Sequence, residues 1–333
     1  MNFWKKLKKP IFCLAPMADV TDCAFRQIIA QCGSPRPDGR GKPDIFFTEF
    51  VSADGLCSVG RDKLLVDFIY SENERPIVAQ IFGAKPENIK KAAKLCRELG
   101  FDGIDINMGC PDKSIVKQGA GAAMIKNPKL AGEVIRAAKE GTGGLPVSVK
   151  TRIGFNKNEI EIWIPALLAE DLAALTIHLR IAKELSNVPA HWELMKRIIE
   201  IRDEMKVETL IIGNGDVLDL KDAKRKVVET GCDGVMLGKA IFGNPWLFSV
   251  SPREVSVSQR LATLVEHTKL FEKMLGKDKN FAIMKKHYKA YVNGFVGAKE
   301  LRIKLMEAEN ASQVENTIND FLDKICRSNN SVI

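Results

Sequence analysis

The sequence predicts an α/β fold: a (β/α)8 TIM barrel followed by a small all-α helical domain. Three observations carry this. Eight short Val/Ile-rich runs alternate with amphipathic stretches in the first three quarters of a 333-residue chain, which is the arithmetic of eight βα units. The runs are apolar throughout, as strands buried on both faces must be. The composition then changes at the Ser/Val/Pro-containing stretch Ser249–Ser258, and the pattern beyond it is helical to the end. The expected domains are therefore residues 1–250 and 255–333. A doubly wound sheet is the competing arrangement, but no G-x-G-x-x-G follows the first run.

In chain order the strand candidates are Ile11–Ala15, Ile45–Thr48, Pro76–Ile81, Gly103–Asn107, Pro146–Lys150, Ala174–His178, Thr209–Ile212 and Gly234–Leu237. Amphipathic stretches such as Pro86–Leu99 and Pro128–Lys139 lie between them. An internal echo supports the repeat. Leu99-Gly100-Phe101-Asp102-Gly103-Ile104 and Thr230-Gly231-Cys232-Asp233-Gly234-Val235 share one pattern. In each, the first Gly is expected to close a helix and the Asp-Gly to turn into a strand. The segment Gly33–Pro43 (GSPRPDGRGKP) is a Gly/Pro/Arg loop before the second strand.

With 45% hydrophobic and 28% charged residues, the chain can bury a core and is not disordered. Mean hydropathy is −0.09, and no run approaches the ~18 apolar residues of a bilayer span, so no membrane partner is expected. The basic start, Met1 to Pro10, lacks the apolar stretch and cleavage site of a secretory signal. The eight cysteines are scattered without a C-x-x-C pair. No disulfide framework or metal site is expected, and a reducing cytoplasm fits. A net charge of +8 admits an anionic partner, nucleic acid included. Residues 251–333 carry 14 Lys+Arg against 10 Asp+Glu, clustered at Lys269, Lys273, Lys277, Lys279, Lys285, Lys286 and Lys289. His287, Tyr288 and Tyr291 are interleaved with them. This is either a solvated helix face or a phosphate-tracking surface with aromatic contacts.

The active site of such a barrel sits at the C-terminal ends of its strands. The residues falling there are Pro16-Met17-Ala18, Glu49, Gln80, Asn107 with Cys110, Lys150 with Arg152, His178, Asn214-Gly215-Asp216 and Gly238-Lys239. Glycines after strands seven and eight let backbone N–H groups approach an anion, and Lys239 adds a cation. Lys150 at a barrel mouth calls for an anion or an electron-rich group, such as a flavin pyrimidine edge. His178 can donate a hydrogen bond to the same edge, and Gln80 offers both an amide donor and an acceptor. Cys110 follows a strand within Asn107-Met108-Gly109-Cys110-Pro111. A free thiol with a pKa near ~8.5 is protonated at neutral pH and can act as a general acid. A nucleophile and a buried structural thiol are the other readings of the same residue.

Five motifs together resemble one family. They are Ala15-Pro16-Met17-Ala18-Asp19-Val20-Thr21-Asp22-Cys23-Ala24-Phe25-Arg26, Gly103-Ile104-Asp105-Ile106-Asn107-Met108-Gly109-Cys110-Pro111, Val149-Lys150-Thr151-Arg152-Ile153-Gly154, Ile212-Gly213-Asn214-Gly215-Asp216 and Gly243-Asn244-Pro245-Trp246. Their order and spacing are similar to those of the tRNA-dihydrouridine synthases. The stretch Lys285-Lys286-His287-Tyr288 through Leu301-Arg302 resembles that family's helical domain more loosely. The resemblance implies an FMN-binding barrel over 1–250, a tRNA-binding helical domain over 255–333, NADPH as reductant, and monomeric action on uridines of tRNA in the cytoplasm. Hydride would pass from the flavin to C6 of the uracil ring and a proton from Cys110 to C5. Pro16, Met17, Ala18, Gln80, Lys150 and His178 would bind the flavin ring. Asn214, Gly215, Asp216, Gly238 and Lys239 would lie along its ribityl-phosphate end. Asn107, Arg152 and Arg180 would hold the substrate base.

Three features depart from the family pattern: Lys239 stands where Arg is usual, Leu179 replaces a small residue in His178-Leu179-Arg180, and Gly33–Pro43 reads as an insertion. The alternatives are an FMN-dependent barrel oxidoreductase acting on a small-molecule pyrimidine or enone, and a non-catalytic RNA-binding protein on a decayed barrel.

Overall fold

A computed structural model describes residues 2–33, 41–249 and 255–330. Nine strands form one sheet: β1 (Ile11–Leu14), β2 (Phe46–Phe47), β3 (Val51–Ser52), β4 (Ile77–Phe82), β5 (Gly103–Met108), β6 (Val147–Arg152), β7 (Ala174–His178), β8 (Leu210–Asn214) and β9 (Gly234–Leu237). Every pairing is parallel, in the order β1-β9-β8-β7-β6-β5-β4-β2, with the short β3 added to β4. A parallel bridge between Cys13 and Ile45 closes β2 onto β1, and the Asp44 N–H donates to the Phe12 carbonyl at 2.8 Å. The expected eight-stranded barrel is therefore present, and β3 is an addition. Four strands run further than expected: β4 to Phe82 and β5 to Met108 by one residue, β6 to Arg152 and β8 to Asn214 by two. In β6 and β8 the charged and polar residues that ended the apolar pattern still pair in the sheet. Most of the Gly33–Pro43 loop, and residues 250–254 of the Ser249–Ser258 stretch, lie outside the described residues.

The repeated Gly-x-Asp-Gly pattern does the same work twice. Gly100 (φ 83°) and Gly231 (φ 78°) end their helices in the left-handed region that glycine adopts at no steric cost. Asp102 accepts the Ile77 N–H, and Asp233 the Ile211 N–H, each at 2.8 Å. Asp102 also holds Arg75 at 2.9 Å, and Asp233 holds Arg202 at 2.8 Å. Asp44 repeats the device, accepting the Phe12 N–H at 2.7 Å. Asp102 thus satisfies the first N–H of β4, while Asp44 and Asp233 accept the second N–H of β1 and β8, all at the N-terminal end of the barrel.

Side chains two apart on a strand share a face. Ile11, Cys13, Ile45, Phe47, Val78, Ala174, Ile212 and Met236 form one buried cluster with Trp4 and Ala15. Residues from six strands can meet only across the inside of the cylinder. Trp4 comes from the 3-10 turn Phe3–Lys6, whose N-cap Asn2 accepts the Trp4 N–H at 3.1 Å. The barrel's lower interior is therefore apolar. The same faces, followed upward, become polar.

The described residues fall into two compact units: Met1–Ala18 with Pro43–Lys239, and Asp19–Lys42 with Ala240–Ile333. The first holds the barrel. The second contains the helices Cys23–Cys32, Val257–Leu275, Lys285–Tyr291, Ala298–Glu307 and Ala311–Asn330. An early segment of the chain thus joins the C-terminal helices. The long helix Val257–Leu275 opens on a capping box between Ser256 and Gln259, which satisfies two otherwise orphaned N–H groups. Among the described residues, no helix is long and apolar enough to cross a membrane, and the seven described cysteines are free thiols.

Candidate active site

The polar ring at the top of the barrel is set by register. Gln80 pairs with Asp105, and Asp105 with Ser148. Two residues higher, Asn107 pairs with Lys150. Higher again, Arg152 pairs with His178 and His178 with Asn214. Period two puts Asp105 on the face of Asn107, and Ser148 on the face of Lys150 and Arg152.

A continuous hydrogen-bond chain runs up this ring. Ser148 Oγ and Gln80 Nε2 each donate to the Asp105 carboxylate at 2.6 Å. Asn107 Nδ2 donates to Gln80 Oε1 at 3.1 Å. Asn107 Oδ1 accepts the N–H groups of Gly109 at 3.1 Å and Cys110 at 2.9 Å. The orientation of Asn107, and through it the Cys110 loop, is thereby fixed from inside the barrel. Gly109 packs closely here: a Cβ would lie 3.0 Å from the Thr151 backbone, so a side chain would have to push that backbone aside. Arg152 Nε donates to the Gly109 carbonyl at 2.9 Å, and the Cys110 carbonyl accepts the Ala122 N–H at 2.9 Å.

Burial sets the protonation states. It pushes the Cys110 thiol up, so the sulfur is protonated at neutral pH. It raises the Asp105 carboxyl to about 6, against the hydrogen bonds from Ser148 and Gln80 and the charge of Lys150. It lowers Lys150 to about 8, helped by Arg152. His178 falls to about 2, first through burial and then through Lys150, Arg152, Arg180 and Lys239. Its ring is neutral at ordinary pH. Lys150 makes no hydrogen bond or ion pair with another described residue.

The loops after β8, β9 and β1 complete the rim. Asn214 Nδ2 donates to the Met236 carbonyl at 2.8 Å. Gly215 has φ 126°, and a Cβ there would sit 2.8 Å from that of Ala190 and 3.2 Å from His178 Cδ2. Asp216 accepts the Ala190 N–H at 2.8 Å and binds Arg180. A Cβ on Gly238 would rest 3.6 Å from Ala15 and 3.8 Å from Met17 Sδ. Pro16 and Met17 are half-buried, and Ala18 and Lys239 are exposed. The expected residues thus all belong to the strand ends and loops of one barrel.

Both guanidinium groups expected at a substrate base are engaged by the protein. Arg152 binds the carbonyls of Gly109, Ile181 (3.2 Å) and Leu185 (3.1 Å). Arg180 binds the Val188 carbonyl at 2.6 Å, His178 Nε2 at 3.0 Å and Asp216. Two members of the site escaped the sequence reading. Asp105 and Ser148 lie inside strand patterns as ordinary residues. Their signal was position: each stands two residues before a polar strand-end residue, on the same face.

The family model described as Dihydrouridine synthase (Dus) matches residues 13–326. The chain belongs to the dihydrouridine synthase family. It is 41% identical over 323 residues to "Probable tRNA-dihydrouridine synthase 2" of Bacillus subtilis (strain 168), covering 96% of each chain. It is 40% identical over 323 residues to "Probable tRNA-dihydrouridine synthase" of Staphylococcus aureus (strain MRSA252), covering 96% of this chain and 95% of that one. Among solved structures, histamine dehydrogenase from Rhizobium sp. 4-9 shares the fold, with a TM-score of 0.51 at 12% identity over 78% of this chain and 48% of that chain. Dihydrouridine synthases are flavin-dependent oxidoreductases. The cationic Lys150 side chain and the neutral His178 ring at the strand ends suit an electron-rich ring.

Proposed function

We propose that the chain reduces the C5–C6 double bond of uridines in tRNA, with FMN as bound cofactor and NADPH as reductant. The observation that carries this reading is the polar ring itself: an unpartnered Lys150 and a protonated Cys110 on a loop fixed by Asn107. Pro16, Met17, Ala18, Gln80, Lys150 and His178 would hold the flavin ring, and Asn214, Gly215, Asp216, Gly238 and Lys239 its phosphate end. FMN held by these residues would supply hydride chemistry toward C6 of the uracil, with NADPH as the source of electrons. The protein's part is the proton. Cys110 carries it at neutral pH and gives it to C5, where negative charge develops. Asn107 holds the base and the Cys110 loop together, and Arg152 braces that loop at Gly109. Lys150 places positive charge where the ring system becomes electron-rich.

A stacked uridine cannot enter the mouth, so the base is extruded at a cost of a few kcal/mol. The helical unit supplies cations for the phosphates. Lys273, Lys277 and Lys289 are exposed, and none forms an ion pair with a described residue. Lys269 and Lys286 are paired to Glu315 and Asp19. The aromatic half of the phosphate-tracking expectation does not hold, because His287, Tyr288 and Tyr291 are fully buried and serve the helical core. The reading has the chain act as a monomer in the cytoplasm.

The test is Cys110→Ala. It keeps flavin absorbance and NADPH-driven flavin reduction, while dihydrouridine formation on tRNA falls by about 10²–10⁴-fold. Full tRNA activity in this variant, or loss of flavin binding, would overturn the assigned role.

A further inference from the structure

The three polar atoms of the Arg180 guanidinium all find partners inside the barrel unit. Nε donates to the Val188 carbonyl at 2.6 Å, Nη2 to Asp216, and Nη1 meets His178 Nε2 at 3.0 Å. Arg180 is buried, and Asp216 is itself anchored by the Ala190 N–H at 2.8 Å. A guanidinium has donors only. Whatever faces it must accept, so His178 Nε2 carries a lone pair and not a hydrogen. Gly215 bounds the same edge of the ring: its built Cβ would lie 3.2 Å from Cδ2 and 3.5 Å from Nε2. The opposite edge carries Nδ1. That nitrogen has no hydrogen-bond partner among the described residues, and the half-buried ring is not sealed from solvent.

We infer that Arg180 is a positioning residue that locks His178 as the neutral Nδ1–H tautomer and so aims a hydrogen-bond donor, never an acceptor, at whatever occupies the barrel mouth. Asp216 belongs to the same clamp, since it fixes the other end of the fork. The role of that donor toward a flavin edge or a uracil carbonyl rests on the function proposed above; the tautomer itself does not. The groups facing the ring are Lys150, Arg152, Arg180 and Lys239, all cationic, with Asp216 bound to Arg180. Nothing nearby favours an imidazolium, so His178 is excluded as a proton-transfer acid at neutral pH. Arg180 acts through His178 and not on the substrate directly.

The experiment uses the full chain labelled with ¹⁵N-histidine and long-range ¹H–¹⁵N correlation spectra. His178 is assigned by the signal missing in His178→Gln. The wild type is expected to show the Nδ1–H pattern unchanged across about pH 5 to 8, where a free imidazole titrates. Arg180→Lys keeps the charge but loses the fork, so an Nε2–H population appears. Arg180→Met removes the charge as well, so the ring mixes tautomers and its titration moves up toward the accessible range. A wild-type Nε2–H or imidazolium signature would overturn the inference. So would an unchanged Nδ1–H pattern in a folded Arg180→Lys or Arg180→Met chain. If either variant fails to fold, the wild-type spectrum alone still decides the tautomer. An Nδ1–H signature in a chain that binds no FMN would uphold the clamp and count only against the proposed function.

Discussion

At the top of the barrel, Gln80, Asp105, Asn107 and Ser148 are buried and bonded to one another. In the helical unit, His267, His287, Tyr288 and Tyr291 are buried as deeply, yet neither imidazole nor either phenol has a hydrogen bond. The second group behaves as aromatic surface. His267 stacks on Phe25 with centroids 4.9 Å apart and meets His287 edge-on at 4.6 Å, while Phe25 meets His287 at 4.8 Å. The contrast separates two uses of polar residues. In the barrel they define directions: the chain of bonds fixes how Asn107 and the Cys110 loop are oriented. In the helical unit ring shape suffices, and the unit tolerates a desolvation cost of about 1–3 kcal/mol for each unpaired group.

Asp105→Ala is expected to have the largest effect. It leaves Gln80 Nε2 and Ser148 Oγ without their acceptor and removes the carboxylate nearest Lys150. Each buried donor left without an acceptor costs about 1–3 kcal/mol, read together from urea unfolding. A loss below about 1 kcal/mol would erase the distinction between the two clusters.

Acid should strain the helical unit next. Burial holds His287 down to about 4 and His267 well below its ordinary value. The folded state therefore binds fewer protons than the unfolded chain below an ordinary histidine pKa of about 6.5. Stability is complete above that pH and falls as pH drops, with His287 alone accounting for about 3 kcal/mol by about pH 4. Denaturation midpoints measured across that range check this, and His287→Phe should flatten the slope.

Smaller effects sharpen the contrast. Ser148→Ala removes one donor from Asp105 and should cost about 1–3 kcal/mol. Tyr291→Phe removes a hydroxyl that has no partner, and melting curves should show it neutral or stabilising by up to about 1 kcal/mol. If Tyr291→Phe costs more than Ser148→Ala, the helical cluster is polar after all.

Much of the barrel was legible because parallel strands leave a simple trace. Ala174–His178 and Gly234–Leu237 begin and end where their apolar runs do. The two-residue β3 was not, since Val51–Ser52 is too short to carry a period. The strand-end residues were legible because each follows an apolar run. Asp105 was not, because a carboxylate inside a strand reads as a mismatch until Gln80 and Ser148 are placed beside it. The fates of Arg152 and Arg180 were equally hidden: sequence shows a cation near a site, and only the carbonyls of Gly109, Ile181, Leu185 and Val188 show what it binds.

By itself the sequence determined the βα repeat, the closing glycines, the polar rim and the resemblance in its five motifs. These depend on local pattern, which the chain carries residue by residue. The tertiary structure decided which polar atoms are satisfied, that residues 19–42 join the C-terminal helices, and that Cys110 is held through Asn107, Gln80 and Asp105. These depend on segments distant in the chain becoming neighbours, and neighbours set burial, hydrogen bonding and charge.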